Sequence, residues 1–179
     1  MSTTINPACA YVGIATAIVT GLSHLEGQEV SILANGEVLT NATVSGGEVS
    51  LGNSYSVAHV GLPYYADLET LDIEVPMYEG TVMSRKIKVG NTMFRLEKSR
   101  GGYIGPDENN IWEAFTADAF RLSSGQQYLG NESLFTGDIR QSLGAGYSQG
   151  GNIFYRQKDP LPVTIGAITP EVSVGGATR

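Results

Sequence analysis

The sequence predicts an all-β fold, on three observations. Glycine is abundant, with 23 residues spread along a chain rich in Val, Thr, Ile and Tyr, so turns are many and strands short. Several segments alternate apolar and polar residues with a period of two, the mark of half-buried strands. Charge is sparse at 16% while apolar residues make up 41%, enough for a packed core and too much for wholesale disorder. A chain of this length forms one ordinary domain or two small ones.

Each element follows in turn. Residues 1–9 read as a lead-in, and Ala10 to Val19 as a strand bounded by Pro7 and Gly21. Val30 and Ile32 alternate with Glu29 and Ser31, and Asn35-Gly36, both tolerant of positive φ, then predicts a type I′ turn into a strand from Val38. Ser45-Gly46-Gly47-Glu48 supplies a second turn, Val49 and Leu51 resume the alternation, and Val57 to Val60 forms a further strand stopped by Gly61 and Pro63. Strands this short leave open edges at a risk of aggregation, so closure into a small barrel is expected. Tyr65 to Leu71 is expected to form a turn or two of helix, from Leu68 and Leu71 at i, i+3. Strands follow at Ile73–Met77 and Val82–Val89, then a turn at Gly90-Asn91 and a strand at Met93–Leu96. Arg100 to Asn110 reads as a polar loop, the best candidate for a contact-making excursion. Further strands are expected around Phe120–Leu122, Leu134–Phe135 and Ile139, with a glycine-rich loop from Leu143 to Gly151. Ile153–Arg156 and Val163–Ile168 close the fold, and Pro160 and Pro162 between them call for an edge position or a crossing between sheets. The organisation is thus a lead-in and first strand over 1–19, a small closed β-barrel over 20–72, and a second sheet or sandwich unit with a C-terminal tail over 73–179.

The charge is lopsided. Nine carboxylates and no Lys or Arg precede Arg85, whereas all 11 basic residues lie from Arg85 onward beside nine carboxylates, so a −9 first half and a +2 remainder give the net −7. An acidic first half argues against binding a phosphate backbone. Cys9 is the only cysteine, which excludes an intramolecular disulfide and a cysteine-based zinc site and suits a small buried hydrophobe. The apolar run from Ala8 to Val19 is too short to span a bilayer and lacks the basic flank of a signal peptide, so a soluble product made in the cytoplasm is expected.

No motif assembles a coherent chemistry, and no catalytic, cofactor-binding or metal-ligating residues are expected. Gly146-Tyr147-Ser148-Gln149-Gly150 fits G-x-S-x-G, but a nucleophile elbow needs a strand before it and a helix after it. Here the flanks are glycine-rich, and the two histidines, His24 and His59, both precede the serine. Those histidines lack helical i, i+4 spacing and read as structural hydrogen-bonding groups. Asp107-Glu108-Asn109-Asn110 carries oxygen ligands without the glycine and terminal Glu of a calcium loop. Arg85, Lys86, Lys88, Arg95, Lys98 and Arg100 form the one basic concentration; Phe94 and Tyr103 would stack bases there, but over that and over a solvated strand face an ion-pairing interface with the acidic half of a neighbour is favoured.

Two stretches carry a family resemblance. Gly21-Leu22-Ser23-His24-Leu25-Glu26-Gly27, Val30-Ser31-Ile32, Val44-Ser45-Gly46-Gly47 and His59-Val60-Gly61-Leu62-Pro63-Tyr64 follow one another, and Asp159-Pro160-Leu161-Pro162 and Pro170-Glu171-Val172 close the chain. In that order they resemble the C-terminal module of the tail-tube (nozzle or hub) proteins of short-tailed bacteriophages, in segments GL-x-HLEG, V-x-V-x-x-DG, V-S-G-G and V-x-HVGLPY. At Ser23 the family more often has Asp, and Asn35-Gly36 stands where Asp-Gly is usual; both swaps keep the turn chemistry. The family's proteins are several times longer, with a β-rich body ahead of this region, so the chain is expected to be either a fragment or the module encoded alone. The resemblance implies a non-enzymatic virion protein, made in the host cytoplasm and built into a phage tail as a homo-oligomeric ring, six copies by analogy. It would touch adaptor and fibre proteins, with DNA passing nearby without specific binding. The alternative is a receptor- or glycan-binding tail-tip module that uses its tyrosines and the loop around Tyr103.

Overall fold

The structure, a computed structural model, describes residues 8–74, 76–77, 80–81, 86–114, 134–144, 146–148 and 150–175. It is all-β; the single helical turn among these residues is a 3-10 turn at Ser23–Leu25. Contacts divide the chain into two compact units; of the described residues the first takes in 8–64 and Asp159–Leu161, and the second the others.

The first unit holds β1 (Ala8–Thr20), β2 (Glu29–Ala34), β3 (Glu37–Thr43) and β4 (Glu48–Gly61), in the order β1-β4-β2-β3 with every neighbour antiparallel. Asn35 and Gly36 take φ of 45° and 80°, the double positive φ that a type I′ turn needs to match strand twist. The Asn35 side chain then accepts hydrogen bonds from the Val57 amide and the Ser56 hydroxyl, which ties the hairpin tip to β4. β4 is long because its two halves do different work. Its C-terminal half, Ala58–Gly61, lies between β1 and β2, while Glu48–Ser50 pairs with Ile18–Thr20 after two register shifts. The core comprises Val19, Leu22, Leu25, Val30, Ile32, Ala34, Val44, Val49, Leu51, Ala58 and Val60. Each large side chain among them contributes about 1.5–3 kcal/mol by leaving water. Among the described residues no hydrogen-bonded pairing joins β3 to β1 and no closed barrel is detected; they form a four-stranded antiparallel sheet with β1 and β3 at its ends.

The second unit holds β5 (Ala66–Glu69), the short β6 (Pro76–Met77) and β7 (Gly80–Thr81), then β8 (Ile87–Ser99), β9 (Tyr103–Asp107), β10 (Asn110–Glu113), β11 (Phe135–Ser142), β12 (Phe154–Gln157) and β13 (Ile165–Val174). They form sheets of order β10-β9-β12-β5 and β11-β8-β13, plus the β6–β7 pair. Val89, Phe94, Leu96 and Ile139 from one sheet share a core with Ile104 and Tyr155 from the other, so the two sheets pack as a sandwich. Pro160 and Pro162 fall where the chain leaves β12 in one sheet for β13 in the other.

Three expected elements differ. Tyr65–Leu71 is not helical: Ala66–Glu69 pairs with Gln157–Phe154, and that ladder outweighs one i, i+3 contact. The strand does not turn at Gly90-Asn91, because β8 runs through as the centre of its sheet, with Asn91 opposite Ser142 and Val89 opposite Val172. The span Arg100–Asn110 is mostly the β9–β10 hairpin rather than a loop. Pro106 is tolerated there because the pairing with β12 ends at Gly105 and a register shift separates the rungs at Asn110 and Trp112. Gly105 is required by close approach, since a Cβ would stand 1.8 Å from the Asn110 carbonyl oxygen. The strands expected at Val82–Arg85 and Phe120–Leu122 lie outside the described residues.

Candidate interaction surfaces

The motif residues of the first unit meet in space. The Glu26 carboxylate accepts hydrogen bonds from the Gly46 and Gly47 amides at 2.8 and 2.6 Å. Both glycines take positive φ, which turns their N–H groups toward one oxyanion. The Leu22 amide donates to the Gly47 carbonyl, the Gly27 amide donates to the Val44 carbonyl, and the Val44 amide donates to the Gln28 carbonyl. The glutamate of the first motif and the double glycine of the third are therefore a single structural clasp.

The outer faces of the second unit carry cross-strand ion pairs. Arg95 on β8 makes a bidentate pair with Asp138 directly opposite on β11, at 2.8 and 2.9 Å. Arg140 on β11 reaches past β8 to Glu171 on β13, which Asn91 also contacts at 3.4 Å. Arg156 on β12 holds Asp67 on β5 with two bonds of 2.7 Å. Each carboxyl is held below its ordinary range first by its arginine: Asp138 by Arg95, Glu171 by Arg140 and then Asn91, Asp67 by Arg156. A cleft of about 440 Å³ lies beside Arg95 and Asp138, lined also by Leu96, Thr136, Gly137 and Gly166.

On the β12 face the guanidinium of Arg156 lies 5.1 Å from the Tyr65 ring centre and 5.2 Å from that of Phe154, and the Lys158 ammonium lies 3.8 Å over Tyr103. No local pattern announces this cluster, because Asp67 and Arg156 stand 89 residues apart. An exposed aromatic pair at Tyr64-Tyr65 was the one available signal.

The residues singled out from the sequence are dispersed. His24 is exposed in the 3-10 turn and His59 exposed on β4, both in the first unit. Ser148 lies in the second unit and is extended, bridged to Ile87 by two backbone hydrogen bonds, which is not the strand–turn–helix of a nucleophile elbow. Asp107 spends its carboxylate on the β9–β10 turn, accepting from the Asn109 and Asn110 amides and the Asn110 side chain, and that side chain above all lowers its pKa. Phe94 is fully buried in the core and offers no stacking face. Arg95 is spent on Asp138, and Arg85 lies outside the described residues. Among the described residues no group of three His, Cys, Asp or Glu is arranged to hold a metal, and no helix is long and apolar enough to cross a membrane.

Compared with models of known protein families the chain matches none, and it matches none of the curated proteins.

Proposed function

We propose that this chain is a structural component of a bacteriophage tail, a tube, nozzle or hub module that contributes to tail assembly and to the conduit for DNA ejection. One observation carries the reading: the ordered motif series from Gly21 to Tyr64, whose Glu26 and Gly46-Gly47 serve one another in a single clasp. In this reading the chain is not an enzyme, holds no cofactor and acts as a ring of copies in the virion, in contact with adaptor and fibre proteins. In that setting the edges of the first unit's sheet are covered by neighbouring protein, since open edges invite aggregation. The exposed Glu37, Glu48 and Glu69 face the channel or a neighbour's basic strand, where negative charge keeps passing DNA from sticking. Mass spectrometry of purified particles tests it: the product is expected in tails, and particles made without the gene are expected to lack a functional tail. Its absence from particles would sink the reading.

The Tyr65–Arg156–Phe154 cluster favours a second reading, a receptor- or glycan-binding tip module, because aromatic faces beside fixed charges suit sugar rings. Arg156→Ala that abolishes binding of purified protein to host cells, with tail assembly intact, would favour it over the first.

A further inference from the structure

The two free edges of the first unit's sheet are unequal to every other edge among the described residues. β1 is 13 residues long and among the described residues pairs on one side only, with β4. It contains no charged residue and no proline, and Val12, Ile14 and Ile18 are 76%, 89% and 46% exposed. Folded proteins protect long edges with charge or proline. The second unit follows that rule: β5 carries Asp67 and Glu69, β10 Glu113, β11 Asp138 and Arg140, and β13 Pro170 and Glu171. At the far side of the first sheet, β3 pairs among the described residues only with β2 and carries one charge, Glu37, at its first position.

From this we infer that the sheet is continued between copies of this chain, the free edge of β1 in one copy pairing antiparallel with the free edge of β3 in the next. This deepens the ring reading above and rests on it. Strand direction selects the pairing. Three antiparallel steps separate β1 from β3, so the two run in opposite directions. A copy placed beside another by rotation alone therefore brings β1 to β3 antiparallel, which is a head-to-tail contact that closes into a ring when the rotation divides a full turn. The regular stretch Ala8–Val12 offers five rungs, within the seven residues of β3. Backbone hydrogen bonds supply affinity, and the exposed Val12 and Ile14 bury apolar surface on the neighbour. A β1–β1 contact about a two-fold axis is the rival, and it would stop at dimers.

The lone Cys9 on β1 makes the test direct. Cys9 of β1 and Leu39 and Ala42 of β3 all pack against the first core. Mild oxidation of the Ala42→Cys and Leu39→Cys proteins is expected to give, in at least one, a covalent ladder that reductant collapses and Cys9→Ser abolishes, while wild type stays unlinked. Ile14→Lys, at an exposed position outside the core, is expected to leave the circular dichroism spectrum unchanged and to weaken self-association at least tenfold by light scattering. Cys9-linked dimers of wild type, absence of any ladder, or full assembly of Ile14→Lys would each overturn the inference. Its failure is separable from that of the tail reading: a ring in purified particles that survives Ile14→Lys keeps the tail role and removes the edge pairing, whereas a ladder from a product absent from particles does the reverse.

Discussion

Gly105→Ala asks whether the β9–β10 hairpin is held as tightly as its geometry requires. The added methyl would stand 1.8 Å from the Asn110 carbonyl oxygen, 2.8 Å from its carbon and 3.0 Å from the Ile111 Cα. Opening the first contact from 1.8 Å to even 3.0 Å moves backbone by 1.2 Å, and no flexible side chain is there to give way. Overpacking of this kind costs about 3 kcal/mol, toward the upper end because the obstacle is main chain. Alanine returns about 0.4–1 kcal/mol by restricting the unfolded chain, since the φ at Gly105 is not in the left-handed region. Overpacking wins, leaving a net loss of about 2 kcal/mol, or a Tm lower by about 4–8 °C in a chain of this size. The single tryptophan, Trp112, sits on β10 in the second unit, so its fluorescence follows the affected hairpin during thermal or urea unfolding. A Tm at or above that of wild type would refute the close approach at Gly105.

The remaining expectations concern polar groups. Glu26→Ala removes the acceptor of two amide bonds and should cost about 1–3 kcal/mol, read as a lower urea midpoint for the first unit; an unchanged midpoint would mean the clasp is not stabilising. Thr92→Val should stabilise by about 1 kcal/mol, because the Thr92 hydroxyl is buried without a hydrogen-bond partner among the described residues and valine keeps its shape; a lower midpoint would show that the hydroxyl is satisfied. Asp67, Asp107, Asp138 and Glu171 all have lowered pKa values in the folded state. Their contribution is therefore fully present above the unfolded carboxyl range near 4 and is lost as pH falls through the lower folded values. The midpoint should hold from pH 7 to about 5 and drop below about 4, less steeply in Asp67→Asn; a midpoint that rises on acidification would reverse the sign of the argument.

The first unit was largely legible in the sequence because its signals are local. The Asn35-Gly36 turn, the Ser45–Glu48 turn and the alternation through Val49 and Leu51 each act within a few residues of one another, and the structure uses them all. What local pattern could not supply was the partner of each strand. β2 buries Ser31 along with Val30 and Ile32 because it lies between β3 and β4, which period two alone does not say. The second unit was harder for the same reason, carried further. Gly90-Asn91 looks like a turn until β11 and β13 occupy both edges of β8, and Tyr65–Leu71 looks helical until β12 arrives from 89 residues away. The Arg156 cluster is a product of that pairing, so the Tyr64-Tyr65 pair alone could not say which cation would lie beside it.

The central position of β8 also sets an order of events. Its partners are made late: Ser142 of β11 faces Asn91, and Val174 of β13 faces Ile87. During synthesis β8 has emerged long before either flank exists, and its sheet cannot be completed until the chain has passed Val174. Such distant pairings are slow, since chain must be looped before contacts repay it. Stopped-flow refolding should therefore show Trp112 fluorescence, in the second unit, recovering more slowly than the β2–β3 hairpin acquires exchange protection; the opposite order would be inconsistent with this topology. A cell that makes many copies at once would hold many unpaired β8 strands, and production of this protein would be limited by how long those strands stay apart.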